Sequence, residues 1–396
     1  MKRIFLVLLL VLFVPFVVAC DERPQIKILM PGEYITPETI EAFTEEHGIR
    51  VRVDEFASNE EALTFIKSGE EYDLVLPSEY AMEQLMVENP NYIQKVDWNR
   101  ITTFNKDTDL AHGLDTLIND LKMTKGLDLL EYGVPYFWGS VGLLYNKNVV
   151  SAADAAQGWE LLRMGDKYNV AFYDSSRDAL MAPLMTLGYS MNSSNATEIN
   201  EAKAWIEVAA KKKNVGYLTD NIFDEVPNGN YDIAMAYSGD AAEIMNIVYE
   251  EEVNLDLDFL IPDAGTNIFV DFLVIHSSAD LDNTYKFLNH IISYDGALKN
   301  TINLFYISPR EDVRQQQINS ANTERIKELF TINFRPQDDI FRFNPESKAL
   351  IDDAWNSLGV SRQGGEISTI GIIAIFGAIV VVGAVSAVLI IRRKRR

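Results

Sequence analysis

Tyrosine and polar side chains follow two apolar runs of the sequence that we predict to be short buried strands. The first run lies in residues 72–80, where Ser78 and Tyr80 come directly after the apolar positions in a predicted loop. The second lies in residues 231–240, where Tyr237 closes a similar run. In open α/β sheets, ligands bind beyond the carboxyl ends of the strands. Two such ends, far apart in the sequence, predict two α/β lobes that face one cleft.

The side chains at these predicted strand ends are suited to bind a small organic cation such as a polyamine. Each buried ammonium group needs a carboxylate partner, because an unpaired buried charge is very costly. Aromatic rings pack against the methylene stems, and each cation–π contact adds roughly 0.5–2 kcal/mol. Helix N-termini repel cations, so we expect side chains to supply the binding. The residues that offer this chemistry are Glu33, Tyr34, Ser78, Tyr80, Asp178, Tyr237, Phe269 and Asp271.

The sequence lacks the motifs of the common enzyme and metal-binding classes. Its four histidines, His47, His112, His276 and His290, have no ligand spacing, and Cys20 is the only cysteine. A zinc site usually combines closely spaced histidines and cysteines. No phosphate-binding loop, dinucleotide fingerprint, Gly-x-Ser-x-Gly turn or His-Glu-x-x-His helix occurs. We therefore predict no enzymatic activity, no cofactor and no metal.

Acidic residues dominate the chain between two basic ends. The net charge is −23 at neutral pH, from 58 acidic and 35 basic residues, and short basic clusters lie at both termini. Phosphate binding requires a basic surface, so this balance argues against nucleic acid as a partner. The excess of acidic groups favours a cationic ligand, but an acidic surface also serves solubility alone.

The N-terminus has the form of a secretion signal. Two basic residues precede an apolar run from Ile4 to Val18, which ends at Ala19 and Cys20. This ending resembles a bacterial lipobox, whose cysteine is diacylated and becomes the first mature residue. We predict that residues 1–20 are a lipoprotein signal peptide and that Cys20 is lipidated, and an uncleaved signal anchor is the alternative. Since there is no second cysteine, no internal disulfide forms.

A second long apolar run lies near the C-terminus. Residues 370–391 carry no charge and are long enough to cross a bilayer as a helix. Five basic residues follow at 392–396, and such residues stay on the cytoplasmic side of a membrane. We predict a tether at 361–369, a single transmembrane helix and a cytoplasmic tail. The region before the tether then lies on the extracellular or periplasmic face of the cell membrane, held at both ends.

The segments between these ends alternate between strand and helix patterns. Residues 26–30 predict a first strand, Thr36 followed by Pro37 predicts a helix start, and Gly48 predicts the end of that helix. Ser58, with a glutamate three residues later, predicts the start of a second helix. Such alternation is typical of a parallel sheet covered by helices. Further strands are predicted at 49–53, 170–173, 255–261 and 267–275, and the aromatic stretch 134–145 is interpreted as the first crossing between lobes.

Seven short segments, which follow one another along the chain, match the segments of a known family in the same order. They are Glu33-Tyr34 and residues 58–60, 72–80, 93–97, 134–139, 187–190 and 269–271. Together they resemble the bacterial spermidine/putrescine-binding proteins of ABC importers, over about residues 26 to 310. The resemblance implies a two-lobed α/β fold of the type II periplasmic-binding-protein kind, which closes on its ligand by a hinge motion. The implied lobes are residues 21–138 with 271–313, and residues 139–270 with 314–360.

The resemblance also implies which residues contact a polyamine. The implied contacts are Tyr34, Ser78, Tyr80, Asp178, Tyr237, Phe269, Asp271 and Tyr306. Among them, Asp271 is expected to pair with an amine of the ligand.

The chain departs from the family at several of these positions. Asp178 stands where the family has glutamate, and Tyr237 and Phe269 stand where it has tryptophan. Pro31 and Ser175 replace a tryptophan and an aspartate, so one stacking wall and one carboxylate are missing. The further candidate contacts are Glu33, Asp174, Ser175 and Asp240, of which Asp174 or Asp240 would substitute for the missing carboxylate.

These features predict the external substrate-binding component of an ABC importer for a polyamine (putrescine or spermidine) or a related small cation. Such a protein captures its ligand outside the cell and delivers it to permease subunits driven by a cytosolic ATPase. One alternative is a membrane-anchored sensor or adhesion module of the same fold, although a tail of five residues is too short for a signalling domain. Another is an importer receptor for a different small solute.

Overall fold

The structure is a computed structural model that describes residues 23–331 and 334–359. The predicted signal peptide with Cys20, the tether, the transmembrane helix at 370–391 and the basic tail lie outside these residues. Among the described residues, no helix is both long enough and apolar enough to span a bilayer.

A nine-stranded mixed sheet forms the centre of the described part of the chain. The strands are β1 (Gln25–Pro31), β2 (Arg50–Phe56), β3 (Leu74–Val75), β4 (Gly133–Asn146), β5 (Val170–Tyr173), β6 (Val215–Leu218), β7 (Ile233–Tyr237), β8 (Leu257–Leu260) and β9 (Ile268–Ile275). Their order across the sheet is β2-β1-β3-β9-β4-β7-β5-β6, and β8 pairs with β4 outside this path.

Helices connect and cover these strands. The α-helices are α1 (Pro37–His47), α2 (Asn59–Lys67), α3 (Glu79–Glu88), α4 (Leu114–Lys125), α5 (Ala152–Ala155), α6 (Ser176–Thr186), α7 (Ala196–Ala210), α8 (Ile222–Glu225), α9 (Ser238–Glu250), α10 (Leu281–Ile291), α11 (Tyr294–Leu304), α12 (Glu311–Ser320), α13 (Glu324–Leu329) and α14 (Pro345–Ser357). Short 3-10 turns occur at Pro90–Tyr92, Trp98–Arg100, Leu129–Glu131 and Gly158–Arg163.

Local capping signals begin and end the first helices as predicted. Thr36 accepts a hydrogen bond from the backbone N–H of Thr39 at the start of α1. Gly48 ends the same helix in the left-handed conformation, with φ of 67°, which glycine adopts without strain. Ser58 accepts from the N–H of Glu61 at the start of α2. These caps set where the first two helices begin and where α1 ends.

The prediction of a parallel sheet is correct within each half of the sheet and wrong at its centre. β1 pairs in parallel with β2 and β3, and β5 pairs in parallel with β6 and β7. The central strands β4 and β9 are antiparallel to their neighbours. The first half of β4 pairs with β9 and its second half with β7 and β8, so this buried strand passes from one half of the sheet to the other.

The two apolar runs end in helices rather than in the predicted loops. Ser78 is the N-cap of α3, which places Tyr80 in the first turn of that helix. Tyr237 is the N-cap of α9 in the same way. Both first turns are buried, so they lack the exposed polar face by which a surface helix is recognised. Ser175 is likewise the N-cap of α6, and the N-terminal ends of these three helices all contribute residues to one cavity.

Candidate functional site

A cavity of about 130 Å³ lies between the two halves of the sheet and is lined mainly by acidic and aromatic side chains. Ligand pockets are typically about 300–1,000 Å³, so this cavity is small and suits a small solute. All eight predicted contacts line it, namely Tyr34, Ser78, Tyr80, Asp178, Tyr237, Phe269, Asp271 and Tyr306. Of the four further candidates, Glu33, Ser175 and Asp240 line the cavity, whereas Asp174 does not.

Asp271 lies on β9 with both carboxylate oxygens held by hydroxyl groups. Ser78 donates to Oδ1 at 2.7 Å, and Tyr34 donates to Oδ2 at 3.1 Å. Asn59 in turn fixes Ser78, because its side-chain oxygen accepts from the Ser78 N–H at 2.9 Å and its amide donates to the hydroxyl at 3.1 Å. Asp271 is 3% exposed, so its position is set by these contacts rather than by water.

Asp178 lies in the first turn of α6 on another side of the cavity. Its Oδ2 accepts a hydrogen bond from the Tyr237 hydroxyl at 3.1 Å. Its Oδ1 is buried and has no hydrogen-bond partner among residues 23–331 and 334–359. A buried acceptor without a donor costs about 1–3 kcal/mol, so this oxygen is suited to receive a donor from a ligand.

Two more tyrosine–carboxylate pairs complete the cavity wall. The Tyr306 hydroxyl donates to the carboxylate of Asp240, which is itself 6% exposed. The Tyr80 hydroxyl lies 3.4 Å from Glu60 Oε2. Burial raises the pKa of the Tyr34, Tyr80, Tyr237 and Tyr306 hydroxyls well above the ordinary value, so all four stay protonated and act as donors.

Burial also raises the pKa values of the cavity carboxyl groups. Loss of hydration raises the pKa of Asp271 to about 6, partly offset by the hydrogen bonds from Ser78 and Tyr34. The pKa of Asp178 is raised to about 6 by the same cause, and that of Asp240 to about 7. A positive charge placed among these groups favours their ionised forms and lowers each pKa.

Eight carboxyl residues and one arginine line the cavity, and burial raises the pKa of Glu79 and Glu243 to about 8. The carboxyl groups that are ionised at neutral pH supply the negative charge that favours a cation. The carboxyl residues are Glu33, Glu60, Glu79, Asp178, Asp220, Asp240, Glu243 and Asp271. Three of them, Glu79, Asp178 and Asp240, lie in the first turns of α3, α6 and α9. A carboxyl group therefore lies at the positive end of each of these helix dipoles, and burial raises the pKa of the one at α3, Glu79, to about 8.

Aromatic rings form a continuous wall beside these carboxylates. The rings of Tyr34 and Tyr306 lie 4.8 Å apart, and Phe269 meets Tyr306 edge-on at 6.2 Å. Tyr237 contacts Phe269 at 5.0 Å and Tyr173 at 5.0 Å, both in edge-on geometry. Ring faces of this kind can pack against the methylene groups of an aliphatic cation.

Sequence reasoning missed several lining residues, among them Glu60, Glu79, Tyr173 and Arg177. The two glutamates lie inside segments 58–60 and 72–80, which carried the family resemblance, so their positions were available as a signal. Arg177 had no such signal, because a cation is not expected in a cation site. Its guanidinium lies 4.3 Å from the centre of the Tyr80 ring and 3.8 Å from Glu60 Oε1. Lys348 Nζ lies 3.7 Å from the same oxygen, so Glu60 offsets only part of the Arg177 charge.

Comparison with known proteins identifies the family of the chain. Residues 38–329 match the family model described as bacterial extracellular solute-binding protein. The chain belongs to this family. Members bind solutes without converting them chemically, so the chain is a solute-binding protein and not an enzyme.

Individual relatives agree with this assignment. The putrescine-binding periplasmic protein SpuD of Pseudomonas aeruginosa is 29% identical over 276 residues, which cover 66% of this chain and 71% of the relative. The spermidine/putrescine-binding periplasmic protein of Escherichia coli is 26% identical over 288 residues, covering 72% and 77%. The structure of the lipoprotein Tp0655 (TpPotD) of Treponema pallidum matches with a TM-score of 0.68 at 19% identity, covering 84% of this chain and 99% of that one. That match supports the periplasmic-binding-protein fold.

Proposed function

We propose that the chain is the extracellular substrate-binding component of an ABC importer and that its ligand is a polyamine or a related small cation. The observation that carries the proposal is the cavity itself, in which eight carboxyl residues and one arginine surround about 130 Å³ of buried space beside a wall of aromatic rings. The similarity to proteins that are named for putrescine and spermidine binding supports the same ligand class.

In this proposal one ammonium group of the ligand binds at Asp271 and a second binds at Asp178 or Asp240. Tyr34 connects two of these positions, since its hydroxyl donates to Asp271 while its ring packs against Tyr306, the partner of Asp240. The methylene stem then lies along these rings. The short path and the small cavity favour a diamine such as putrescine over longer polyamines.

We further propose that the cavity forms between two lobes, residues 21–138 with 271–313 and residues 139–270 with 314–360, that close by a hinge motion. Arg342 bridges them in the described structure. Its Nη2 lies 2.7 Å from Glu83 Oε1 and its Nε lies 3.0 Å from Oε2, so the pair is bidentate. Glu83 belongs to α3 in the first proposed lobe and Arg342 to the second. Such a pair would help to hold the lobes together around a ligand.

A thermal-shift panel on the full-length protein tests the ligand class. The panel contains putrescine, spermidine, spermine, amino acids and phosphonates. A ligand that binds only the native state raises the melting temperature, by an amount that grows with its concentration relative to the Kd. We expect the largest rise with putrescine. A rise with an amino acid or a phosphonate and none with any polyamine would assign the cavity to a different solute.

We propose that the protein acts at the outer face of the cell membrane and delivers its ligand to permease subunits coupled to a cytosolic ATPase. The sequence features that support this location are the lipobox ending at Cys20 and the apolar run at 370–391. An anchored receptor has a high effective concentration at its permease. A Cys20→Ser variant should remain in the membrane fraction through the C-terminal helix. Its release into the medium would contradict the proposed span.

A further inference from the structure

Two histidines and a glutamate meet on the surface where α1 and α10 end side by side. Glu46 Oε2 lies 3.2 Å from His290 Nδ1, and Glu46 Oε1 lies 3.6 Å from His47 Nε2. One ligand atom from each of the three residues lies within 4.8 Å of the other two. Glu46 and His290 are 244 residues apart in the sequence, so no spacing motif could have revealed the cluster.

Packing against a buried phenylalanine holds both imidazole rings in place. The Phe43 ring is fully buried and lies 4.9 Å from the His47 ring and 5.4 Å from the His290 ring. The side chains of His47 and His290 are 25% and 11% exposed, so they are restrained by the fold yet reachable from solvent. Glu46 is 62% exposed and is free to adjust to a bound ion.

The electrostatic surroundings of this cluster favour a cation. His47 and His290 each lie in the last turn of a helix, where the helix dipole contributes a partial negative charge. Glu46 adds a full negative charge between them. Two cations line the same hollow as the cluster. Arg100 is paired with Asp282 at 2.7 Å, which offsets its positive charge, whereas Lys286 donates to the neutral Asn283 at 3.3 Å and opposes part of the negative charge.

We propose that Glu46, His47 and His290 form a binding site for a divalent transition-metal ion of the zinc class. Two imidazole nitrogens and one carboxylate oxygen are a donor set that zinc prefers, and a water molecule supplies the fourth position of an open site. The bound ion would join the C-terminal end of α1 to that of α10. None of the three residues lines the acidic cavity, so this site does not depend on the proposed polyamine function.

Calorimetric titration with zinc chloride tests the site. The full-length protein carries an affinity tag without histidine, and magnesium chloride serves as the hard-cation control. We expect one zinc ion per chain, a rise in melting temperature and much weaker binding of magnesium. Loss of outer-sphere partners alone commonly costs about 10–100-fold in metal affinity, so His47→Gln and His290→Gln should each weaken zinc binding by about tenfold or more.

Matched variants make the outcome decisive. His112 is exposed and lies outside the cluster, so His112→Gln should bind zinc like the unaltered protein. Glu46→Gln changes a largely exposed side chain and should weaken zinc binding even if a histidine variant disturbs the fold. His290→Gln should bind putrescine normally. Equal zinc affinity in the unaltered protein and in both the Glu46→Gln and the His47→Gln/His290→Gln variants would overturn the proposal.

Discussion

Two buried aspartates on different sides of the cavity are held in different ways. Asp271 lies on a central strand, and hydroxyls of Ser78 and Tyr34 occupy both of its carboxylate oxygens. Asp178 lies at the start of a helix, where Tyr237 occupies one oxygen and the other has no hydrogen-bond partner among the described residues. Burial raises the pKa of each to about 6.

This difference suggests different roles for Asp271 and Asp178 in ligand binding. Asp271 is positioned by fixed hydroxyls before a ligand arrives, so it can set where the first ammonium group binds. In the proposed complex, a ligand ammonium group would supply a donor to the second oxygen of Asp178, and satisfying a buried acceptor is worth about 1–3 kcal/mol. Under this account, Asp271 determines the position of the ligand and Asp178 contributes part of the affinity once both sides of the cavity enclose it.

Replacing Asp271 should have the largest effect. Asp271→Ala removes the buried charge and also leaves the Ser78 and Tyr34 hydroxyls without their acceptor. Loss of one partner of a buried charged pair costs about 2–5 kcal/mol, so putrescine affinity should fall by about 30-fold or more. Isothermal titration calorimetry on the full-length protein measures the change. An unaltered affinity would remove Asp271 from the site.

Replacing Asp178 should have a smaller effect. Asp178→Asn keeps the shape of the side chain and an oxygen that can accept from Tyr237, but it removes the charge, so we expect a loss of about tenfold in putrescine affinity. Asp174→Asn is the matched control, because Asp174 precedes the same helix and does not line the cavity. Its affinity should change by about twofold at most. A larger loss at Asp178 than at Asp271 would reverse the comparison.

Much of the fold followed from short-range signals. The Thr36 and Ser58 caps, the terminal Gly48 and the strand at Val170–Tyr173 are where the sequence predicted them, because each depends on neighbouring residues alone. The antiparallel pairing of β4 with β9 was not predicted. That pairing joins segments more than 120 residues apart, such as Gly133 with Val274, and no local pattern encodes it.

The candidate site was predicted less evenly. Tyr237 and Asp271 could be placed at a cleft because they follow or interrupt apolar runs and because of the family resemblance. The predicted loop at Tyr80 is a helix, since burial of the first turn hid the helical pattern. Arg177 was missed because a buried cation needs a carboxylate nearby, and its neighbour Glu60 comes close to it only in the folded chain. The cluster of His47 and His290 was missed because these residues are far apart in the sequence and meet only in the folded chain.

The central claim is that buried carboxylates from both halves of the molecule bind a small cation, and proton release on binding tests it most directly. Without ligand, the pKa is about 6 for Asp271 and Asp178 and about 7 for Asp240, so each group is mostly protonated below that pH. A bound ammonium group favours the ionised carboxylates, so binding should expel protons near pH 6 and affinity should rise between about pH 5 and pH 8. Calorimetry of putrescine binding in two buffers of different ionisation enthalpy counts these protons. The account predicts net release from about pH 6 to pH 8, because burial also raises the pKa of the cavity groups Glu79 and Glu243 to about 8. Binding with no proton release and no dependence on pH would contradict it.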